Sequence, residues 1–250
     1  MRMDAPIFYA PPKNITGEEI VLPADESRHA LKVLRLKKGD RLLVVDGLGQ
    51  AYRGEIRTAG KTAVKILIHS TIRNFGEPAV RLTLAAGMSA GSKFDTIVEK
   101  GTELGVKRFV PVISEKSKVK LEEPRRVKNR LTRLERVALA AVKQCRRSYR
   151  PEIAAPVTFV EYLKEFDPEA LNLVFTPAKT ARPLEEIPFD GGLKRINLLV
   201  GPEAGFSPDE TSAALQTGFL PVSLGSRVLR TETAGPAVCA LVMYCLGELR

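Results

Sequence analysis

The stretch that decides the fold is Leu198-Leu199-Val200-Gly201-Pro202-Glu203-Ala204-Gly205-Phe206-Ser207-Pro208-Asp209-Glu210. An apolar run enters a glycine-containing loop, and a compact helix start follows. Ser207 is suited to cap that helix, Pro208 to fill its first position, and Glu210 to complete a capping box. Gly218 is placed to end it. Outward from this unit the strand–helix alternation recurs. Strand-like runs are Val80–Ala85, Arg108–Ile113, Leu171–Thr176, Ile196–Val200 and Leu220–Leu224. Between them, Phe94, Ile97, Val98, Gly101 and Leu104 fall on one helical face, with Gly105 as a stop. Leu131, Leu134, Ala138, Ala141 and Val142 line another, on a helix from about Arg125 to Gln144. Strands separated by helices predict an α/β fold whose mainly parallel sheet is covered on both faces.

The first ~70 residues read differently. Lys38-Gly39-Asp40 is a turn signal, Arg41–Val45 is β-rich, Asp46-Gly47-Leu48-Gly49 is a hairpin turn, and Ala51–Ile56 returns. Thr62–Ile68 alternates as a further strand, and Glu26–Leu34 is the one helical pattern. A small β-barrel with a short helix is expected. Asn74-Phe75-Gly76-Glu77-Pro78 breaks the pattern and marks the domain boundary, giving domains over residues 1–73 and 74–250.

With 250 residues, 44% of them hydrophobic, the chain can bury a full core. No window approaches ~20 apolar residues, so no membrane helix is expected. The N-terminal residues lack the apolar centre of a signal peptide, which makes a cytoplasmic location the expectation. Cys145, Cys239 and Cys245 form no CxxC pair, and His29 and His69 lie far from all of them. Reduced thiols and no metal site are expected.

The charge is segregated. Residues 28–73 hold 11 Lys/Arg against 3 Asp/Glu, residues 115–150 hold 13 against 4, and residues 151–250 hold 8 against 13. Basic blocks of this kind suit phosphate contact, although a solvated surface has the same composition. Arg28, Lys32 and Arg35 in the first block are candidates for such contact. So are Arg125, Arg126, Arg133, Arg146, Arg147 and Arg150 in the second.

Three segments after strands carry the chemistry: Gly201–Phe206, Leu224–Ala234, and Thr176-Pro177-Ala178-Lys179. In an open α/β sheet, ligands bind beyond the carboxyl ends of strands, and small residues there let backbone groups approach closely. Neither GxGxxG nor a P-loop is present, which weighs against a nucleotide-dependent oxidoreductase. Arg230 and Glu232 stand at the start of an apolar stretch, Ala237–Leu246. An ordinary ion pair at a helix start is the alternative to a catalytic role.

Together these segments resemble the RsmE-type 16S ribosomal RNA (uracil-N3)-methyltransferases of the SPOUT superfamily. The family's Gly-Pro-Glu-Gly-Gly loop is similar to Gly201-Pro202-Glu203-Ala204-Gly205. Its Leu-Gly-x-Arg-(Ile/Val)-Leu-Arg-Thr-Glu-Thr-Ala segment matches Leu224–Ala234 at every specified position, and Glu-Lys-x-Thr-Glu-Leu-Gly-Val matches Glu99–Val106. The basic segment resembles Arg147 through Pro151 to Ile153; His29, Val33-Leu34-Arg35, Gly39-Asp40 and Asp46-Gly47 fit the N-terminal pattern. The chain departs at Ala204, where glycine is usual and alanine is strained if φ is positive. It departs again at Lys143, where Glu is usual, and at Arg146, where glycine is usual.

The resemblance implies a PUA-like N-terminal barrel that helps dock RNA and a SPOUT domain with a deep trefoil knot. It implies a homodimer that holds S-adenosylmethionine (SAM) in the knot and binds 16S ribosomal RNA, or the small subunit, across subunits. Thr176, Pro177, Gly201, Pro202, Glu203, Ala204, Gly205, Leu224, Gly225, Leu229, Arg230 and Thr231 would then surround the cofactor. Uracil N3 becomes nucleophilic only when its proton leaves, so charge must be stabilised on the ring oxygens. Arg230 is the candidate cation, and Glu232 or Glu203 the proton acceptor. The alternatives are a non-catalytic RNA-binding or ribosome-assembly protein, and a SPOUT enzyme acting on another RNA.

Overall fold

The computed structural model describes residues 5–60, 63–89, 91–117, 123–177, 180–189 and 192–249. They form two compact units, one of residues 1–77 with 139–150 and one of 78–138 with 151–250.

The first unit contains β1 (Ile7–Tyr9), β2 (Ile15–Thr16), β3 (Glu19–Val21), α1 (Ala24–Arg28), β4 (Arg41–Val45), β5 (Gln50–Ala59) and β6 (Val64–Arg73). Helix α1 continues into a π-helical turn at His29–Val33. The sheet order is β1-β4-β5-β6-β3-β2, antiparallel except for the β1–β4 pair. It is a curled half-barrel with two edges, where a barrel was expected. Strand β4 is apolar at four consecutive positions because both its faces are covered. Leu42 and Val44 join Phe8, Ile20, Ile56 and Ile66, whereas Leu43 and Val45 meet Val142. The expected hairpin turn is built by Asp46, whose Oδ1 accepts from the Leu48 and Gln50 N–H groups at 2.7 and 3.0 Å. Strand β6 runs five residues further than its alternation suggested, to Arg73. Thr62 lies outside the described residues.

The second unit contains β7 (Arg81–Gly87), α2 (Lys93–Glu103), β8 (Val106–Ile113), β9 (Glu152–Ile153), β10 (Val157–Thr158), α4 (Phe159–Lys164), β11 (Leu171–Phe175) and β12 (Arg182–Pro183). It ends with β13 (Arg195–Val200), α5 (Pro208–Thr217), β14 (Leu220–Ser223) and α6 (Thr231–Cys245). The long α3 (Pro124–Cys145) begins in this unit and ends among residues of the first.

All pairs in the second sheet are parallel, in the order β10-β8-β7-β13-β11-β14-β12, with β9 also on β8. Alternate residues feed two cores, as expected for a sheet covered on both sides. Leu198 and Val200 pack with Leu84, Ile97 and Val238, while Leu199 packs with Val110, Val174 and Ala214. Helix α5 starts with the expected capping box: Ser207 Oγ accepts from Glu210 N–H at 3.2 Å, and Glu210 Oε2 accepts from Ser207 N–H at 2.9 Å. Gly218 ends it in the left-handed region.

The strand order is the feature that positions the site. β13 comes late in the chain yet pairs with β7 on one side and β11 on the other. Its following loop is thereby surrounded by the ends of earlier strands.

Candidate active site

The loop Gly201–Phe206 leaves β13 in the middle of the sheet. Gly201 and Pro202 are buried, while Glu203 and Ala204 are exposed. The left-handed residue of this loop is Gly205 (φ 68°), and Ala204 is not among the positive-φ positions. The substitution at Ala204 therefore introduces no backbone strain, because the requirement for glycine falls one residue later.

Four neighbours hold the loop. Gly87, at the end of β7, is so close that a methyl group on it would stand 2.3 Å from Pro202 N. Thr231 Oγ1, buried in the first turn of α6, donates to the Gly201 carbonyl at 3.5 Å. Lys93, at the start of α2, forms an ion pair with Glu203. Lys116 Nζ, beyond β8, donates to the Phe206 carbonyl at 3.1 Å. The third loop leaves β11 beside β14, where Thr176 N–H donates to the Val222 carbonyl at 3.0 Å. Ala178 and Lys179 lie outside the described residues.

The second glycine turn, at Gly225 (φ 93°), follows β14. A Cβ at Gly205 or Gly225 would meet nothing within 4 Å, so both glycines border open space. Exposed backbone beside open space is the surface that an adenosyl and amino-acid ligand requires, since its polar edges are read by N–H and C=O groups. The residues present thus fit a SAM-sized group.

Of the two candidate catalytic residues, Arg230 is exposed at the N-cap of α6. The ion pair with Glu203 or Glu232 is not formed: Glu203 is engaged by Lys93, and Arg230 has no carboxylate partner among the described residues. Glu232 carries a buried Oε2 with no hydrogen-bond partner among those residues. Leu224 and Leu229 are half-buried on the same loop.

A pocket of about 470 Å³ opens beside the loop, lined by Met88, Ser89, Lys93, Lys116, Pro202, Glu203 and Ala204. Ser89 Oγ is buried there without a partner among the described residues. Sequence reasoning missed Ser89, Lys93 and Lys116. The signal was available, because Ser89 and Lys93 follow β7 and Lys116 follows β8, strands of the same sheet.

The candidate RNA residues separate into free and engaged groups. Arg28, Lys32, Arg35, Arg125, Arg126 and Arg150 are exposed. Arg133 is half-exposed and paired with Asp95 at 2.9 Å. Arg147 must be corrected: its side chain is 2% exposed and pairs with Glu77 at 2.8 Å. Glu77 also accepts from the Ser148 and Tyr149 N–H groups at 3.1 and 2.8 Å. A cation buried against a carboxylate and away from solvent cannot meet phosphate, so Arg147 is a structural residue. No described helix is long and apolar enough to cross a membrane.

Comparison with known proteins agrees with this architecture. Residues 76–243 match the family model of the RNA methyltransferase domain, and residues 22–68 match that of the RNA methyltransferase PUA domain. The ribosomal RNA small subunit methyltransferase E of Synechocystis sp. is 32% identical, with 95% of this chain and 76% of that protein covered. The enzyme of the same name from Neisseria gonorrhoeae, solved bound to S-adenosyl methionine, is 31% identical with a TM-score of 0.85, covering 96% of this chain and 98% of that one. A Legionella pneumophila methyltransferase solved with bound SAM is 28% identical with a TM-score of 0.85, covering 97% and 98%. This chain therefore belongs to the ribosomal RNA small subunit methyltransferase E family.

Proposed function

We propose that the chain uses SAM to methylate N3 of a specific uridine in 16S ribosomal RNA of the small subunit. The observation that carries this reading is the pair of glycine turns after β13 and β14 that border open space, with Arg230, without a carboxylate partner among the described residues, at the N-cap of α6. SAM supplies a methyl group on a sulfonium, already a good leaving group. The chain's task is then to hold the acceptor in line and make it nucleophilic. Backbone groups of Thr176, Pro177, Gly201–Gly205, Leu224-Gly225 and Leu229–Thr231 would bind the cofactor. Arg230 would stabilise the charge that spreads to the uracil oxygens as N3 loses its proton. Glu232 is the better proton acceptor of the two carboxylates, because Glu203 is already engaged by Lys93 and Glu232 retains an unpartnered oxygen. Ser89 and Lys116, in the adjacent pocket, are suited to contact the base or its phosphate.

The N-terminal unit and the first half of α3 would bind the RNA. Arg125 and Arg126 lie at the N-terminus of α3, whose first turn contains no acidic residue. Positive charge there opposes the helix dipole, so helix stability does not account for it, whereas phosphate binding does. The late insertion of β13 between β7 and β11 supports a knotted C-terminal chain. Leu241 and Tyr244 are exposed on α6, Tyr244 at 70%, which supports a homodimer through that helix. A cytoplasmic location follows from the substrate.

Mass-spectrometric mapping of modified nucleosides in small-subunit RNA, from cells with and without the protein, tests the reading. Loss of one 3-methyluridine is expected; an unchanged map would overturn it. Arg230→Ala should abolish turnover with SAM affinity retained. Loss of SAM binding would instead assign Arg230 to the cofactor.

A further inference from the structure

Helix α2 begins without a side-chain cap. Ser92 is its N-cap residue, yet the Ser92 side chain accepts no bond from the first turn. The Asp95 and Thr96 N–H groups reach the Ser92 carbonyl at 3.0 and 3.4 Å, whereas those of Lys93 and Phe94 have no partner among the described residues. Free N–H groups at a helix start carry the positive end of the helix dipole and attract anions. Asp95, the one acid of that first turn, is paired with Arg133 at 2.9 Å.

An independent observation at the same place points to a ligand. Ser89, between β7 and α2, is 4% exposed, and its hydroxyl has no partner among the described residues. Buried hydroxyls are normally bonded, so an unbonded one calls for an explanation. Ser89 lines the pocket of about 470 Å³ together with Lys93 and Lys116. One rotamer step about its Cα–Cβ bond re-aims the hydroxyl within that pocket. Gly91 has a φ of 74°, and a Cβ there would meet nothing within 4 Å, so the backbone before α2 also borders open space.

The surrounding charges suit an anion. Glu203 is engaged by Lys93. Glu210 is engaged at both oxygens: Oε1 accepts from Glu115 N–H at 2.8 Å, and Oε2 accepts from Ser207 N–H at 2.9 Å. Lys116 donates to the Phe206 carbonyl and has no carboxylate partner among the described residues, so its charge is uncompensated. A hydroxyl, an ammonium group and helix N–H groups together are the donor set that a phosphate requires.

Strand order separates this pocket from the cofactor. Its lining residues follow β7, β8 and β13, whereas the glycine turns that fit SAM follow β13 and β14. β7 and β8 lie on one side of β13, and β11 and β14 lie on the other. The loop Gly201–Phe206 therefore stands as a partition between the two. The first turns of α2 and α6 are neighbours, since a Cβ on Gly235 would lie 3.4 Å from Ile97 Cγ2. The pocket is thus at the same end of the sheet as Arg230. We propose that it holds a backbone phosphate of the target nucleotide, with Ser89 and Lys116 as its side-chain contacts, and so positions the uracil against the methyl donor across the loop. The proposal rests on the methyltransferase reading and adds to it the residues that hold the acceptor.

The test is steady-state methyl transfer to small ribosomal subunits purified from cells lacking the protein, with calorimetric SAM titration and thermal unfolding of each variant. Ser89→Ala removes a hydroxyl that is unbonded in the fold, so the unfolding temperature should not fall. KM for the subunits should rise about tenfold, the loss of one hydrogen bond to a charged group. The kcat and the SAM affinity should stay within about twofold of the parent. Lys116→Gln keeps a donor for the Phe206 carbonyl but loses the charge. KM should rise by a similar factor, and the slope of log KM against log salt should drop by about 0.7, one single-strand phosphate contact. Lys164→Gln, on α4 and outside the pocket, should match the parent. Subunit KM within about twofold of the parent in both pocket variants would overturn the proposal. A loss of SAM affinity of about tenfold would overturn it too, by giving the pocket to the cofactor's carboxylate. So would a lower unfolding temperature for Ser89→Ala, which would mean that the hydroxyl is bonded within the fold. Absence of methyl transfer by the parent chain would instead refute the methyltransferase reading, and the phosphate assignment with it.

Discussion

Replacing Gly87 by alanine tests how the sheet positions the cofactor loop. The new methyl group would lie 2.3 Å from Pro202 N, 2.5 Å from its Cδ and 2.7 Å from its Cα. Carbon contacts relax at about 3.5 Å, so Pro202 must retreat by roughly 1 Å. The strand has little freedom to move instead: β7 lies between β8 and β13, and Leu82–Ser89 are all buried. Overpacking of this kind typically costs about 1–3 kcal/mol. If the strain falls on the loop conformation that binds SAM, affinity should decrease by about ten- to a hundredfold. Calorimetric titration with SAM reads the affinity, and urea unfolding reads the stability. Gly192→Ala is the control, because a Cβ there meets nothing within 4 Å. A folded Gly87→Ala protein that binds SAM as tightly as the parent would refute the argument that Gly87 supports the loop.

Further outcomes follow from the same contacts. Arg147→Ala leaves Glu77 buried and unpaired, and should destabilise the fold by about 3–5 kcal/mol in urea unfolding; a loss below 1 kcal/mol would return Arg147 to the surface. Ser207→Ala removes an N-cap that accepts from Glu210 N–H, and should cost about 1 kcal/mol by the same measurement. Ala204→Gly should leave SAM affinity unchanged within twofold, since no strain at Ala204 needs relief. Burial pushes the Cys239 thiol well above its usual range, so it should resist a thiol reagent at pH 8 until the protein unfolds, while exposed Cys245 reacts at once. Fast modification of Cys239 in the native protein would contradict its place in the core.

What could be read from the sequence was local. The run Leu198–Glu210 dictates strand, loop and helix because its apolar residues, cap and proline act on immediate neighbours, and the structure has those elements with the capping box formed. The glycine turns at Gly39, Gly47, Gly105 and Gly218 were legible for the same reason, and all four have positive φ. The rest depended on partners distant in the chain. No local pattern states that β13 inserts between β7 and β11, and that insertion brings Gly87 against Pro202 and Lys93 to Glu203. Arg147 looked like one more cation in a basic run until the fold buried it against Glu77, a residue 70 positions earlier. Hydrophobic period and turn chemistry are set by a few neighbouring residues, so the sequence alone determines the elements. Strand order, burial and the pairing of charges arise only when distant segments are packed together, so the tertiary structure decides which of the candidate residues share a site.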